Sequence, residues 1–309
     1  MRPLDGRAAI VTGAGAGLGR SHALHLASLG AAVVVNDVAK DADGQWRADR
    51  VVDEITDQGM KAIVNHADVS HWSAAADLVG ACVDAFGRLD VLVNNAGIVR
   101  DRTMARMTEN EWDDVLRVDL KGHAAPSIHA MRHWRRHAKT TGDPVGAAIV
   151  HTSSIGGLMA NFGQGNYVAA KLGVVGLSSV LALEGEQIGV RSNVIAPSAR
   201  TETTLQAMPS TSHFDQPDGI TDMDFWDPGN VSPVVGWLTS PSCAATGQIF
   251  HVVGNEVRLF APFSVVNRFT TIGRWTLEDL DRQVGPELTR WPTAMEFLEV
   301  FEQKASVDG

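Results

Sequence analysis

Tyr167 is the only tyrosine in 309 residues, and Lys171 follows it at i+4. On a helix that spacing puts both side chains on one face, one turn apart. A free phenol has a pKa of about 10, and bringing it to about 7 takes roughly 4 kcal/mol of preferential stabilisation of the phenolate. An adjacent ammonium supplies charge of the right sign. Ser154 stands 13 residues before Tyr167, just past an apolar run. A hydroxyl there can hold a substrate oxygen beside the phenol. The chemistry is proton transfer at an oxygen. Tyr-x-x-x-Lys also occurs on ordinary surface helices, so the surrounding elements must decide whether it acts.

A second set of residues lies near the N-terminus. Thr12-Gly13-Ala14-Gly15-Ala16-Gly17-Leu18-Gly19 joins an apolar run to a helical pattern. The spacing is G-x-x-x-G-x-G over Gly13, Gly17 and Gly19, not G-x-G-x-x-G. Glycines let the backbone approach a pyrophosphate, and a helix N-terminus offers free N–H groups and a positive dipole end. Asp37 ends the second apolar run, 20 residues after Gly17. A carboxylate there accepts hydrogen bonds from both adenosine ribose hydroxyls and repels a 2′-phosphate, which favours NAD over NADP. Lys40 is nearby and argues the other way. Asp68 and Val69 follow the third run, where the chain would pass the adenine.

The elements that must position these groups alternate along the chain. Apolar runs at 8–12, 31–36, 62–66, 89–94, 147–152, 190–196 and 248–253 read as strands. Amphipathic stretches at 21–29, 48–58, 73–86, 109–137 and 166–188 read as helices. Continuous Val/Ile runs mean strands covered on both faces, and the βαβα order means a parallel sheet. The expected fold is α/β: a Rossmann-like, doubly wound parallel sheet in three α/β/α layers, with a C-terminal extension. Residues 1–255 form the dinucleotide-binding domain, with a long substrate loop at 200–227. Residues 256–309 form an extension packed on the core or on a neighbouring subunit, with short helices expected at 276–283 and 293–303.

Composition narrows the function classes. Hydrophobic residues make up 44% and charged residues 20% of the chain, and the formal net charge is -10. That balance belongs to an ordinary globular protein and disfavours nucleic acid and anionic membrane surfaces as partners. Cys82 and Cys243 are too few for a secreted disulfide framework. No apolar run approaches the roughly 18 residues of a membrane span. No signal peptide is visible, so a cytoplasmic location is expected. His129, His133 and His137 fall at i, i+4 and i+8, but Arg132, Arg135 and Arg136 interleave them. That pattern reads as a solvated or interface face, and no metal is expected.

Taken jointly, Gly13-x-x-x-Gly17-x-Gly19, Asn94-Asn95-Ala96-Gly97, Ser154, Tyr167 and Lys171 resemble the classical short-chain dehydrogenases/reductases over roughly residues 5–255. The resemblance implies Tyr167 as acid/base and Ser154 as donor to the substrate oxygen. It implies Lys171 on the nicotinamide ribose, lowering the Tyr167 pKa. It also implies Asn94, Asn95, Ala96 and Gly97 along the cofactor cleft, and a homodimer or homotetramer. Two positions depart from the family pattern. Asp119 stands where the family has a fourth catalytic residue, an Asn, and its carboxylate would compete for the charge of Lys171. Pro197-Ser198 replaces the frequent Pro-Gly. A contact to the nicotinamide-side phosphate falls on Thr201 or Thr203.

Residues 161–173, Asn-Phe-Gly-Gln-Gly-Asn-Tyr-Val-Ala-Ala-Lys-Leu-Gly, are similar to the 3-hydroxyacyl-CoA dehydrogenase unit of peroxisomal multifunctional enzyme type 2. This implies a small-molecule substrate, a 3-hydroxyacyl-CoA or a hydroxysteroid-like alcohol, oxidised to a ketone with NAD. Met208, Phe214, Met223, Phe225 and Trp226 either line an acyl slot or pack the loop down. Two other readings stay open. One is a 3-oxoacyl-carrier-protein reductase, against which Asp37 argues. The other is a cofactor-binding regulatory or scaffold protein without catalysis, for which Asp119 is the only support.

Overall fold

The computed structural model describes residues 2–207, 214, 222–261, 263–290, 292–294, 296 and 297. Its strands are β1 (Ala8–Thr12), β2 (Ala32–Asn36), β3 (Ala62–Asn65), β4 (Val91–Asn94), β5 (Ala147–Thr152), β6 (Val190–Ser198), β7 (Ile249–Val253) and β8 (Glu256–Leu259). They form one sheet of order β3-β2-β1-β4-β5-β6-β7-β8. All neighbours pair parallel except β7 and β8, an antiparallel hairpin.

The helices are α1 (Gly17–Ser28), α2 (Arg47–Asp57), α3 (Trp72–Phe86), α4 (Glu109–Val115), α5 (Gly122–Thr141), α6 (Ile155–Leu158), α7 (Gly165–Gly185), α8 (Glu202–Ala207), α9 (Ser232–Thr239) and α10 (Leu277–Gln283). β1 sends Ala9 and Val11 into a core layer with α1, α2 and α9, and Ala8 and Ile10 into a layer with α3, α5 and α7. Both faces of the strand are dry, which is why its sequence does not alternate. The chain winds outward from β1 to β3, then restarts at β4 on the other side of β1. That reversal opens a crevice at the C-terminal ends of β1 and β4, the place where ligands bind in such sheets.

Several elements differ from the sequence expectation. α1 begins at Gly17, not at 21, because the glycine-rich turn itself forms the first helical turn. The expected long helix at 109–137 is broken by a π-helical segment, Leu116–Lys121, which holds Asp119. α5 then runs through Pro126, whose missing N–H leaves a carbonyl one turn earlier without its usual donor. α6, α8, α9 and β8 carried no clear periodic signal, and β8 extends the sheet past residue 255. Residues 165–188, a 24-residue helical stretch holding an 18-residue window of mean hydropathy 1.5, are long and apolar enough to cross a membrane, contrary to the sequence expectation. Here that apolarity packs α7 against β6, and the helix carries Lys171. Met208 and most of the expected helix at 293–303 lie outside the described residues.

Candidate active site

The glycine turn leaves α1 open at its N-terminus. Its N-cap, Ala16, makes no side-chain cap, and the first turn holds no acidic residue. The orphan N–H groups and the dipole are therefore available to an anion. Gly17 has φ +51°, a left-handed conformation that favours glycine. A Cβ on Gly19 would lie 2.1 Å from the Gly13 carbonyl oxygen. Thr201 covers Gly17, with its Cγ2 3.4 Å from where a Cβ would stand. Thr203, by contrast, is exposed, so Thr201 is the threonine at the glycine loop.

At the adenosine end, the Asp37 carboxylate accepts the Gly15 N–H at 2.8 Å and the Ala39 N–H at 2.7 Å. Each oxygen keeps a lone pair for a further donor. A cleft of about 300 Å³ beside it is lined by Gly15, Ala16, Arg20, Arg47, Arg50 and Glu202, among others. Its arginines are already paired: Arg20 with Glu54, Arg47 with Glu202, Arg50 with Asp41. Lys40 lies over the Trp46 ring at 4.2 Å, and Trp46 stacks on His66. The cations near Asp37 are thus engaged elsewhere. Asp68 accepts from Ser70 and pairs with Arg117 at 3.2 Å, and Val69 is buried beside it. These features fit a nicotinamide dinucleotide: a phosphate cradle, an acceptor for ribose hydroxyls and a wall for the adenine.

Asn95 ties the central strand ends together. Its Nδ2 donates to the Thr12 and Gly13 carbonyls, and its Oδ1 accepts from Thr152 Oγ1. The N–H groups of Asn95 and Ala96 donate to Thr12 Oγ1. Thr12 escaped the sequence reading because its strand position gave it no separate signal. Pro197 lies at the C-terminal end of β6, and the following Ser198 hydroxyl meets His251 Nε2 at 3.0 Å.

The structure brings Ser154, Tyr167, Lys171 and Asp119 together at the ends of β4 and β5. Ser154 caps α6, and its Oγ accepts from the Gly156 N–H. Asn166 anchors the start of α7 by donating to the Arg100 and Glu111 carbonyls, which aims Tyr167 into the crevice. One turn on, Lys171 Nζ donates to the Thr152 carbonyl at 3.0 Å and lies 5.6 Å from the Tyr167 ring centroid. Behind it, Asp119 Oδ2 stands 3.2 Å from Nζ, and Oδ1 accepts the Ile98 N–H at 2.8 Å. The lysine and aspartate side chains are 3% and 0% exposed, so this is a buried ion pair. Gly97 makes room for it: a Cβ there would sit 2.8 Å from Asp119 Oδ2.

The electrostatics of the group are opposed. Burial pushes the Tyr167 phenol up; Lys171 pulls it down, Asp119 pushes it up again, and a Ser154 hydrogen bond pulls it down, with a net rise. Burial works against the Lys171 ammonium, but Asp119 and then Tyr167 outweigh it and raise its pKa. Burial raises the Asp119 carboxyl against the pull of Lys171. The aspartate does compete for the lysine's charge, as its position in the sequence suggests. The protein alone holds the phenol protonated. A base at neutral pH therefore needs added positive charge beside it.

The loop aromatics pack down in part. Phe225 is buried against Gly254, and Trp226 meets both Phe225 and Phe214 edge to face. The tail meets the core: Ala294 N–H donates to the Ala160 carbonyl, between Ser154 and Tyr167 in sequence, and Phe297 stacks on Phe260. His129 meets Trp72, and His133 stacks on His137. A cleft of about 770 Å³, lined by Arg7, Met60, Lys61 and Arg88 among others, lies at the opposite ends of the strands from this site.

The short chain dehydrogenase family model matches residues 7–212. The chain is 42% identical over 272 residues to the hydroxyacyl-CoA dehydrogenase ChsB1 of Mycobacterium tuberculosis, covering 87% of this chain and 84% of that one. It is 40% identical over 252 residues to the peroxisomal multifunctional enzyme type 2 of Mus musculus, covering 80% of this chain but 32% of that longer protein. It is also similar to the crystal structure of a short chain dehydrogenase from Mycobacterium avium. The TM-score there is 0.82 at 41% identity, covering 94% of this chain and 98% of that one.

Proposed function

The chain belongs to the short chain dehydrogenase family and is an oxidoreductase acting on CH–OH groups, and from that premise we propose that it is an NAD-dependent 3-hydroxyacyl-CoA dehydrogenase. The observation that carries the reading is the meeting of Ser154, Tyr167 and Lys171 at the C-terminal end of β5, across the crevice from the glycine turn. The name of the Mycobacterium tuberculosis relative supplies the substrate class. Asp37 and the paired state of Arg47 and Lys40 support NAD over NADP. The cofactor would be held by Gly13, Gly15, Gly17, Leu18 and Gly19 at its phosphates and by Asp37 at its adenosine ribose. Thr201, Pro197, Asn95, Ala96 and Gly97 would line the rest of the cleft.

When bound, the nicotinamide supplies the hydride acceptor. The chain supplies the rest. Ser154 Oγ holds the substrate oxygen, and Tyr167 Oη takes the hydroxyl proton as the carbinol carbon loses hydride. Lys171 places a positive charge under the phenol and lowers the cost of its anion. Asp119 keeps that lysine protonated and withdraws part of its effect. The C-terminal segment at Ala294, hydrogen-bonded to Ala160, forms one rim of the substrate side.

The test is NADH consumption at neutral pH with acetoacetyl-CoA and a longer 3-oxoacyl-CoA, beside Tyr167→Phe. The expected result is turnover with wild type that vanishes in the variant. NADH binding without turnover on either thioester would refute the acyl-CoA reading.

A further inference from the structure

Behind Lys171 lies a cluster of side chains that the proton transfer above does not use. Asp119, His123 and Ser127 succeed one another at four-residue spacing along one helix face. They face Asn94 at the end of β4 and His151 on β5, and all five are 0% exposed. Ser127 Oγ donates to the His123 carbonyl at 2.7 Å, and Asn94 Nδ2 donates to Ser127 Oγ at 2.9 Å. The two imidazoles stack with centroids 5.7 Å apart.

The hydrogen bonds fix both tautomers. His123 Nε2 is 3.0 Å from the Ala96 carbonyl, so Nε2 carries the proton and Nδ1 is an acceptor. Asn94 Nδ2 points at His151 Nδ1 at 3.4 Å, so Nδ1 accepts and Nε2 carries the proton. Asn94 Oδ1, His123 Nδ1 and His151 Nε2 have no hydrogen-bond partner among the described residues, and Asp119 Oδ2 has only its ion pair with Lys171. That leaves two acceptors and one donor without a partner, all buried, in side chains that touch one another. Buried polar atoms are paired in native proteins, and a site with two to four such partners takes ordered water. A water can donate to both of these acceptors and accept from His151 Nε2.

We infer that Asn94, His123 and His151 hold ordered water behind Lys171, and that this water solvates the Asp119–Lys171 pair and keeps the ammonium charged beneath Tyr167. The three are positioning residues. The inference rests on Tyr167 as the acid/base. His151 precedes Thr152, whose carbonyl accepts a hydrogen bond from Lys171 Nζ, and His123 is hydrogen-bonded to Ala96 beside Gly97, the residue that abuts the pair. The groups facing Lys171 are Asp119 from the π-helical segment, Tyr167 from its own helix, His123 from α5 and His151 from β5. Asp101 also acts on Tyr167. Both histidines are neutral at working pH, because burial first and Lys171 second hold them far below their ordinary range. They act as dipoles and water holders, not as charges.

Tyr167 is the only tyrosine, so its ionisation can be read by ultraviolet difference absorbance in the full chain without substrate or cofactor. A high-resolution crystal structure should show water within hydrogen-bond reach of His151 Nε2 or Asn94 Oδ1. His151→Phe should displace it and move the Tyr167 titration to higher pH. His151→Gln, which restores a donor, should keep both near wild type. Should His151→Phe not fold, His123→Leu removes an acceptor from the same site and should move the titration the same way. A dry cluster in the crystal, or a titration unmoved once the water is displaced, overturns the inference. Neither readout needs turnover, so a failure of the acyl-CoA reading leaves this test intact.

Discussion

Asp119→Asn isolates the charge that opposes Lys171. Lys171 Nζ stands 5.6 Å from the Tyr167 ring centroid and 3.2 Å from Asp119 Oδ2. The carboxylate is therefore at most about 9 Å from the ring, and at an effective dielectric of about 20 its repulsion of a phenolate is about 1.9 kcal/mol. Removing it should favour the phenolate by roughly 20-fold. The side chain keeps its size, and an amide oxygen can still accept the Ile98 N–H. The assay is the pH profile of alcohol oxidation, beside ultraviolet titration of Tyr167. The rising limb should move to lower pH, and the rate below the limb should increase by up to that factor. A thermal melt belongs with it, since breaking a buried pair from one side costs about 3–5 kcal/mol. A folded variant whose limb stays in place or moves up would refute the claim that Asp119 restrains the base.

Three further outcomes are expected. Asp37→Ala should shift the NADP/NAD ratio of kcat/KM by about tenfold or more, since it removes charge-assisted hydrogen bonds worth about 1.5–3 kcal/mol each; an unchanged ratio would break the cofactor argument. Gly97→Ala should largely abolish turnover while the dinucleotide still binds, because the new Cβ would meet Asp119 Oδ2 at 2.8 Å and Lys171 Nζ at 3.2 Å; wild-type kcat would show that the pair has room to move. Acid should destabilise the fold early. His22 and His151 are depressed to about 3 by burial. Both are neutral folded and unfolded above about 6.5, but below it only the unfolded chain takes up their protons. Each then costs about 1.4 kcal/mol per pH unit down toward the folded value. Melting temperatures from pH 7 to pH 5 should fall, and a flat profile would contradict the buried, neutral histidines.

Much of the sheet was legible because β1, β2, β4 and β5 are continuous apolar runs, and a parallel sheet buries both faces of its strands. β8 was not, since Glu-Val-Arg-Leu alternates over only four residues at an exposed edge. α9 was not, because Pro233 and Gly236 lower its helical signal; in the fold Gly236 is what lets it sit tightly on His25 of α1 and on Leu29 just past that helix. The π-helical segment had no signature at all.

The sequence by itself determined the chemistry available: one phenol, one lysine a turn away, a serine upstream, a glycine turn and a carboxylate at a strand end. These are local patterns, written in residue type and spacing. Only the tertiary structure decided how the charges act. Asp119 is far from Lys171 in sequence but 3.2 Å from it in space, and the two act in opposite directions on Tyr167, whose burial is the larger influence. The same holds for Asn94, His123 and His151, and for Arg47, which pairs with Glu202 from 155 residues along the chain. Burial and long-range pairing set electrostatics, and neither is a property of neighbouring residues in the chain.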